Sequence, residues 1–135
     1  MEIIFIDANI FLEIFLKDSK AEDCKKFLLS SRAEDIPLIT TDFILYTCFI
    51  QVENNIKDSK MIRETILFFN SLSNLNILRP TIDDMHAATE IMDDYNLDFD
   101  DGLVVSCMKN NKIGKLASLD KHFDKVKIIQ RVSFK

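Results

Sequence analysis

Short apolar runs alternate along this chain with longer segments of helical periodicity, and this alternation restricts the possible folds most strongly. The apolar runs are residues 3–6, 37–40, 76–78, 116–118 and 126–129. They lack the strict polar–apolar alternation of a half-exposed strand, so they predict strands buried on both faces. Strands that alternate with helices predict an α/β fold, a three-layer α/β/α sandwich around a parallel sheet of four or five strands. At 135 residues, the chain is expected to form one domain over residues 1–135.

Capping residues predict where several of the helices begin. Ser19 and Glu22 have the spacing of a capping box, which predicts a helix start at this point. Thr41, followed by Asp42, predicts the start of the next helix, and Thr81 predicts a later one.

The composition narrows the class of protein. Two Gly and two Pro argue against an all-β fold and against a glycine-rich loop that binds phosphate. The net charge of −5 argues against a protein that coats nucleic acid. Residues 109–135, however, contain eight bases and two acids, whereas residues 1–108 contain nine bases and twenty acids. Either the acidic part binds metal and the basic part binds a polyanion, or the charges are scattered by chance over solvated faces.

The cysteines and the hydropathy pattern indicate the cellular compartment in which the protein is expected. Cys24, Cys48 and Cys107 lie far apart among apolar neighbours, which is typical of small buried side chains in a reducing environment. No apolar segment reaches the length of a transmembrane helix. The sequence therefore predicts a cytoplasmic protein with no membrane partner.

Four aspartates are predicted to meet at one edge of the sheet. Asp7 directly follows the first strand, and Asp120 follows the strand at 116–118. Asp100 and Asp101 begin the helix that leads into that strand. In parallel α/β sheets, strand ends and helix starts share the edge at which ligands bind, so acids distant in sequence would lie close together.

Carboxylates within a few ångströms of one another repel unless they are protonated or bridged by a cation. Mg²⁺ and Mn²⁺ are natural bridges because they take oxygen ligands and keep bound waters. A site of this kind activates water and screens a phosphate, so the joint placement of the acids indicates metal-dependent phosphodiester hydrolysis. Any one of these aspartates, taken alone, is more often a surface or capping residue.

Three segments share a further pattern: IIFIDANIFLEIF, ITTDFILYT and LDFDDGLVVSCMKNNKIGKLASLDKHF. In order, they contain a hydrophobic strand ending in Asp-x-Asn, a strand-to-helix step with a Thr cap and an acid, and an Asp that opens a helix before a strand ending in Ser-x-Asp. In this order and spacing, the chain resembles, over essentially its whole length, a single-domain member of the PIN domain family, similar to the VapC toxins.

The resemblance implies roles for particular residues. Asp7, Asp101 and Asp120 would be the catalytic metal ligands, and Asn9 and Ser118 would orient the neighbouring carboxylates. It also implies an Mg²⁺- or Mn²⁺-dependent endoribonuclease that hydrolyses single-stranded or structured RNA. Members of the family are often homodimers, and many are the toxin that pairs with an antitoxin protein.

The chain departs from the family pattern at Thr47, where a Glu is usual. A hydroxyl lacks the charge that holds a divalent ion, so Thr47 is at most a supporting residue, and Asp100 or Asp98 is the candidate to compensate as a further ligand. The alternative is a PIN-like domain with weakened or lost catalysis that acts as a binding or assembly module. A milder departure is Gly102, where Ala is usual, and it is expected to loosen the helix start slightly.

Basic residues in the C-terminal part are the candidates for RNA binding. Lys112, Lys115 and Lys121 are predicted to contact the phosphate backbone. His122, two residues after Asp120, is a further candidate to line the cleft, although a lone His is more often a packed or surface residue.

Other acid-rich sites fit the sequence poorly. An EF-hand loop beginning at Asp94 would place Phe99 where Gly is needed and Val105 where Glu is needed. A phosphatase built on Asp-x-Asp would need an acid at Asn9, and a phospho-accepting receiver domain would need an Asp where Arg79 follows the third strand.

Overall fold

The computed structural model of the chain describes residues 2–132, which form five strands, six α-helices and one short 3₁₀ helix. In chain order, the elements are β1 (Ile4–Ile6), α1 (Ala8–Phe15), α2 (Ala21–Ala33), β2 (Leu38–Thr41), α3 (Asp42–Asn55), α4 (Ser59–Ser71), β3 (Leu75–Leu78), α5 (Ile82–Tyr95), α6 (Phe99–Asn110), β4 (Lys115–Ala117), the 3₁₀ helix (Lys121–Lys125) and β5 (Gln130–Val132).

The five strands form one parallel sheet in the order β3-β2-β1-β4-β5. β1 is central, all of its residues are buried, and its Ile4 lies in register with Leu38 of β2 and Lys115 of β4. The predicted α/β/α sandwich around a parallel sheet is confirmed. Because the strand order reverses between β1 and β4, a ligand crevice is expected at the carboxyl ends of these two strands.

The fifth strand begins later than the sequence predicts. Residues 126–129 form a turn, in which the Ile129 N–H donates to the Val126 carbonyl at 3.1 Å, and β5 begins at Gln130. Val126 and Ile129 are both buried. The apolar run therefore arises from a turn packed on the core, and the predicted strand at 126–129 is wrong.

The start of α2 also differs from the prediction. The helix begins at Ala21, and Lys20 takes the N-cap position without a side-chain capping bond among the described residues. The Lys20 N–H donates instead to Oε1 of Glu13 in α1, at 2.8 Å. A carboxylate from the preceding helix thus accepts a backbone N–H at the start of α2. The predicted capping box of Ser19 and Glu22 is wrong.

Threonines cap α3 and α5, as predicted. Thr41 Oγ1 accepts a hydrogen bond from the Ile44 N–H at 3.1 Å. Thr81 and Asp84 form a reciprocal capping box, in which the Asp84 carboxylate accepts the Thr81 N–H at 2.8 Å. Caps of this kind stabilise a helix by about 1 kcal/mol each.

Aromatic side chains tie three helices together in the core. The Phe69 ring of α4 makes edge-to-face contacts with Phe11 at 4.8 Å, Phe15 at 5.4 Å and Phe49 at 5.8 Å between ring centroids. Each such pair adds about 0.5–1.5 kcal/mol beyond the burial of its area. The cluster joins α1, α3 and α4 on one side of the sheet.

The cysteines are free and buried, as predicted. Burial raises the pKa of the Cys24 thiol to about 11 and the pKa values of the Cys48 and Cys107 thiols to about 12. The thiols therefore stay protonated and pack as small apolar groups. Within residues 2–132, no helix combines the length and apolarity that crossing a bilayer requires.

Gly102, in the first turn of α6, lies where α6 crosses α5. A Cβ at this position would lie 2.9 Å from the Ala88 carbonyl oxygen and 3.1 Å from Met92 Cγ. The two helices are also joined by the Asn110 side-chain amide, which donates to Asp84 Oδ1 at 2.6 Å. Gly102 is thus needed for the close approach of the two helices. Its influence on stability comes from this packing more than from the helix propensity considered from the sequence.

We expect Gly102→Ala to lower the free energy of unfolding by about 1–3 kcal/mol, because the added methyl group overpacks the helix crossing. Helix propensity alone would favour Ala by about 1 kcal/mol, the opposite sign. Gly114→Ala is the matched control, since a Cβ there would approach the Ile128 carbonyl only to 4.0 Å. Urea unfolding measures both variants, and equal stability of the two would contradict the packing argument.

Candidate metal centre

Asp7 lies at the junction of β1 and α1 and is held from several directions. It is the N-cap of α1, and its Oδ1 accepts the Ala8 N–H at 2.8 Å. Its Oδ2 accepts the Ser118 hydroxyl at 2.7 Å and the Asn9 amide at 3.3 Å. The residue is only 8% exposed. Burial raises its pKa, and the hydrogen bond from Ser118 partly opposes that rise.

Asn9 and Ser118 join the start of α1 to the segment after β4. The Asn9 amide donates to Ser118 Oγ at 3.1 Å, and Asn9 Oδ1 accepts the Leu119 N–H at 3.1 Å. Ser118 Oγ also accepts the Asp120 N–H at 3.0 Å. These bonds link the Asp7 carboxylate to the segment that carries Asp120.

Asp101 and Asp120 complete the cluster. Asp101 lies in the first turn of α6, and one of its carboxylate oxygens is within 4.8 Å of an oxygen of Asp120. Burial raises the pKa of Asp101 to about 7, and repulsion from Asp100, Asp7, Asp120 and Asp98 adds to the rise, in that order. Acids that the sequence spreads over more than a hundred positions therefore share one electrostatic environment.

His122 lies beside the same carboxylates. Its backbone N–H donates to Asp120 Oδ1 at 2.9 Å, and its ring Nδ1 lies 3.1 Å from that oxygen. One imidazole nitrogen is within 4.8 Å of both the Asp101 and the Asp120 ligand oxygens. From the sequence, His122 is only a candidate to line the cleft, because its spacing of two residues from Asp120 does not show where the ring points.

The donor set suits a hard divalent cation. Several carboxylates face one another, and their mutual repulsion is visible in the raised pKa of Asp101, so a cation would relieve it. Carboxylate oxygens are the ligands that Mg²⁺ and Mn²⁺ prefer. Asp101 and Asp120 bring their ligand oxygens within 4.8 Å of one another and would hold such an ion. The Asp7 carboxylate lies outside that group of ligand atoms, but it is near enough to raise the pKa of Asp101, as are Asp100 and Asp98.

Comparison with known proteins identifies the family of this chain. The family model of the PIN domain matches residues 4–129. The chain belongs to the PIN domain family. It is 28% identical to ribonuclease VapC6 of Methanocaldococcus jannaschii, with 94% of each chain covered.

Solved structures share the PIN fold with this chain. VapC20 of Mycobacterium tuberculosis, a toxin that cleaves the sarcin–ricin loop, aligns with a TM-score of 0.73 at 16% identity, over 91% of this chain and 94% of that one. VapBC2 of Rickettsia felis, bound to a DNA fragment of its promoter, aligns with a TM-score of 0.75 at 14% identity, over 98% and 99%. A toxin–antitoxin complex of Klebsiella pneumoniae aligns with a TM-score of 0.69 at 16% identity, over 96% of each chain.

Thr47 takes no part in the carboxylate network of this PIN domain. It is half-buried, and its hydroxyl donates to the Phe43 carbonyl at 2.9 Å, one turn back in α3. The next residue, Cys48, brings α3 to the site, since its Sγ lies 4.0 Å from the Ala8 carbonyl oxygen. Asp7 also contributes to the raised pKa of Cys48. At Thr47 and Cys48, α3 therefore brings no charged side chain to the site.

The three predicted RNA-binding lysines do not lie together. Lys115 begins β4, whereas Asp120 follows the end of that strand, so Lys115 lies at the opposite edge of the sheet and pairs with Glu2 at 3.2 Å. Lys112 lines a surface cleft at that same far edge together with Lys115. Only Lys121, directly after Asp120, lies at the edge that carries the acids.

Proposed function

We propose that this PIN domain protein is a divalent-metal-dependent endoribonuclease that hydrolyses RNA phosphodiester bonds. The observation that carries the proposal is that Asp101 and Asp120 have carboxylate oxygens within 4.8 Å of one another, with Asp7 near enough to raise the pKa of Asp101. The similarity to ribonuclease VapC6 supports the same activity. The ion would be Mg²⁺ or Mn²⁺.

The residues of the site have separate roles in the proposed reaction. When bound, the ion supplies a nucleophile from water and screens the charge of the phosphate. Asp7, Asp101 and Asp120 hold it, while Asn9 and Ser118 fix the carboxylate of Asp7 through the bonds described above. The near-complete burial of Asp7 excludes water from one side of the site.

Cleavage of a mixed-sequence single-stranded RNA tests the proposal. We expect cleavage with Mg²⁺ or Mn²⁺, loss of cleavage with EDTA, and a loss of about 100-fold or more in Asp120→Asn, which removes the charge at constant shape. Cleavage that is insensitive to EDTA, or that survives in Asp120→Asn, would contradict the assignment. Failure to cleave any RNA with either metal would contradict the enzymatic function.

RNA binding should depend on Lys121 more than on the other two lysines. We expect Lys121→Glu to weaken binding of single-stranded RNA by about tenfold and to reduce the salt dependence of binding by about one phosphate contact. Lys112→Glu and Lys115→Glu, at the far edge, are expected to change the affinity less than about twofold. Titration with fluorescent RNA at several salt concentrations, using an inactive variant, measures the three. A larger effect of Lys112 or Lys115 would show that RNA also contacts the far edge.

We propose further that the protein acts in the cytoplasm as the toxin of a toxin–antitoxin pair, with an antitoxin protein as its partner. Structures of toxin–antitoxin complexes share its fold. A homodimer is proposed as well, because Phe43, Tyr46 and Ile50 lie at helical spacing on α3 with exposed side chains. Light scattering of the purified protein measures the oligomeric state, and a monomer at high concentration would contradict the dimer.

The second candidate function is a PIN-like domain that binds RNA or a partner without efficient catalysis. The hydroxyl of Thr47, engaged within its own helix, favours this possibility because this position supplies no charge to the site. Calorimetry with Mn²⁺ separates the two functions. Tight binding with RNA cleavage supports the nuclease, whereas the absence of both supports the binding module.

A further inference from the structure

The position of His122 matters because it adds a nitrogen donor beside the carboxylates of Asp101 and Asp120. The usual acid of α3 is replaced by Thr47, whose hydroxyl is engaged elsewhere. The 3₁₀ helix that follows Asp120 brings an imidazole nitrogen of His122 within 4.8 Å of the carboxylate oxygens of both Asp101 and Asp120. These three side chains surround one point.

The separation of these atoms is close to what an ion needs. With metal–ligand bonds of about 2.1 Å, octahedral ligands lie about 3.0 Å apart when adjacent and about 4.2 Å apart when opposite. A small rotation of these side chains would therefore bring the three donor atoms to the distances that one ion bridges. The side chain of His122 is 74% exposed, so it can rotate at little cost.

The only polar side-chain contact of His122 within residues 2–132 is with Asp120. The backbone N–H of His122 binds Asp120 Oδ1, so the main chain already holds the residue in place while the ring remains available. A histidine needed for packing would be buried, and this ring is not.

We propose that His122 is a nitrogen ligand of the metal and that it biases the site towards Mn²⁺ over Mg²⁺. The inference rests on the proposed function, since it takes Asp101 and Asp120 as ligands. An imidazole nitrogen suits the transition metals, whereas Mg²⁺ prefers a shell of oxygen atoms. The bias is therefore a property of this donor set and not of carboxylates alone.

Electron paramagnetic resonance of the Mn²⁺-bound protein tests the proposal directly. Electron spin echo experiments detect a nitrogen-14 nucleus bonded to Mn²⁺, and we expect this signal in the wild type. It should be absent in His122→Ala and retained in His86→Ala, the matched control, because His86 is exposed on α5 and is the other histidine of the chain. A wild-type spectrum without the nitrogen signal would overturn the inference.

Affinity gives a second readout. We expect His122→Ala to weaken Mn²⁺ binding by about tenfold or more and Mg²⁺ binding by less than about threefold, as measured by calorimetry. Equal Mn²⁺ affinity of wild type and His122→Ala, with binding lost in Asp101→Asn, would overturn the role of His122. The same result would support a metal site formed by the carboxylates. Absence of Mn²⁺ binding by the wild type would overturn both.

Discussion

Replacing Asp101 with Asn is expected to abolish RNA cleavage and, at the same time, to stabilise the metal-free protein. The carboxylate is a proposed metal ligand, so its loss removes charge from the centre and should lower cleavage by about 100-fold or more. The same carboxylate is half-buried among other acids, and its pKa is raised to about 7 by burial and by repulsion, first from Asp100 and then from Asp7 and Asp120. Asn therefore removes both the repulsion between carboxylates and the charge that would hold the metal.

The size of the stabilisation follows from the pKa of Asp101. A rise from 3.8 to about 7 sets an upper bound of about 4 kcal/mol. Because the group is only half-buried, solvent screening reduces the expected gain to about 1–2 kcal/mol. Between pH 3.8 and about 7, the folded protein keeps a proton that the unfolded chain releases, so this group makes the metal-free wild type less stable as the pH rises through that window.

Urea unfolding in EDTA, at pH values across and above that window, measures the effect on stability. We expect Asp101→Asn to unfold at higher urea than the wild type above pH 7 and to show a flatter pH dependence. Glu64→Gln, the same kind of change at an exposed position on α4, should leave the stability within about 0.5 kcal/mol. Lower stability of Asp101→Asn would show that its carboxylate is held by favourable contacts and not by repulsion.

Thr47→Glu is expected to strengthen the metal centre, with Mn²⁺ affinity rising by about tenfold or more and cleavage rising with it. The substitution adds a charge to α3 at the position beside Cys48, whose Sγ lies 4.0 Å from the Ala8 carbonyl oxygen. It should also lower the stability of the metal-free protein by about 1 kcal/mol, because another carboxylate joins a cluster that already repels.

Calorimetry with Mn²⁺ and urea unfolding with and without the metal measure the two effects of Thr47→Glu. Thr47→Gln is the matched control, since it has the same shape without the charge and should not tighten metal binding. Unchanged affinity in Thr47→Glu would show that α3 lies too far from the ion to contribute. A cleavage rate that rises only in the Glu variant would mark Thr47 as the cause of weak catalysis in the natural chain.

Local sequence patterns predicted much of the fold because they record local interactions. Apolar runs without alternation mark buried strands, and the caps at Thr41 and Thr81 form as expected because each is satisfied within one turn of its own helix. The cap predicted at Ser19 failed because Glu13, from another helix, competes for the same start. The prediction of a strand at 126–129 was wrong because these residues are apolar as part of a buried turn and not as part of an extended strand.

The candidate site was partly predictable for a similar reason. Asp7 and Asp120 directly follow strands, so the parallel topology alone places them on one edge. The sequence also carried the signal that separates Lys115 from Asp120, because the two residues lie at opposite ends of the same strand. At about 3.3 Å per residue, even a three-residue strand keeps them about 10 Å or more apart.

The sequence by itself determined the family, the sheet edge that carries the acids, and the missing charge at Thr47, since each depends on residue type and chain order. Only the tertiary structure decided that an imidazole nitrogen of His122 lies within 4.8 Å of the Asp101 and Asp120 oxygens and that Gly102 meets the backbone of α5. Both depend on distances between elements that are far apart in the chain or on the direction of one side chain. Such distances are set by packing across the whole domain, to within a few tenths of an ångström, which no local pattern encodes.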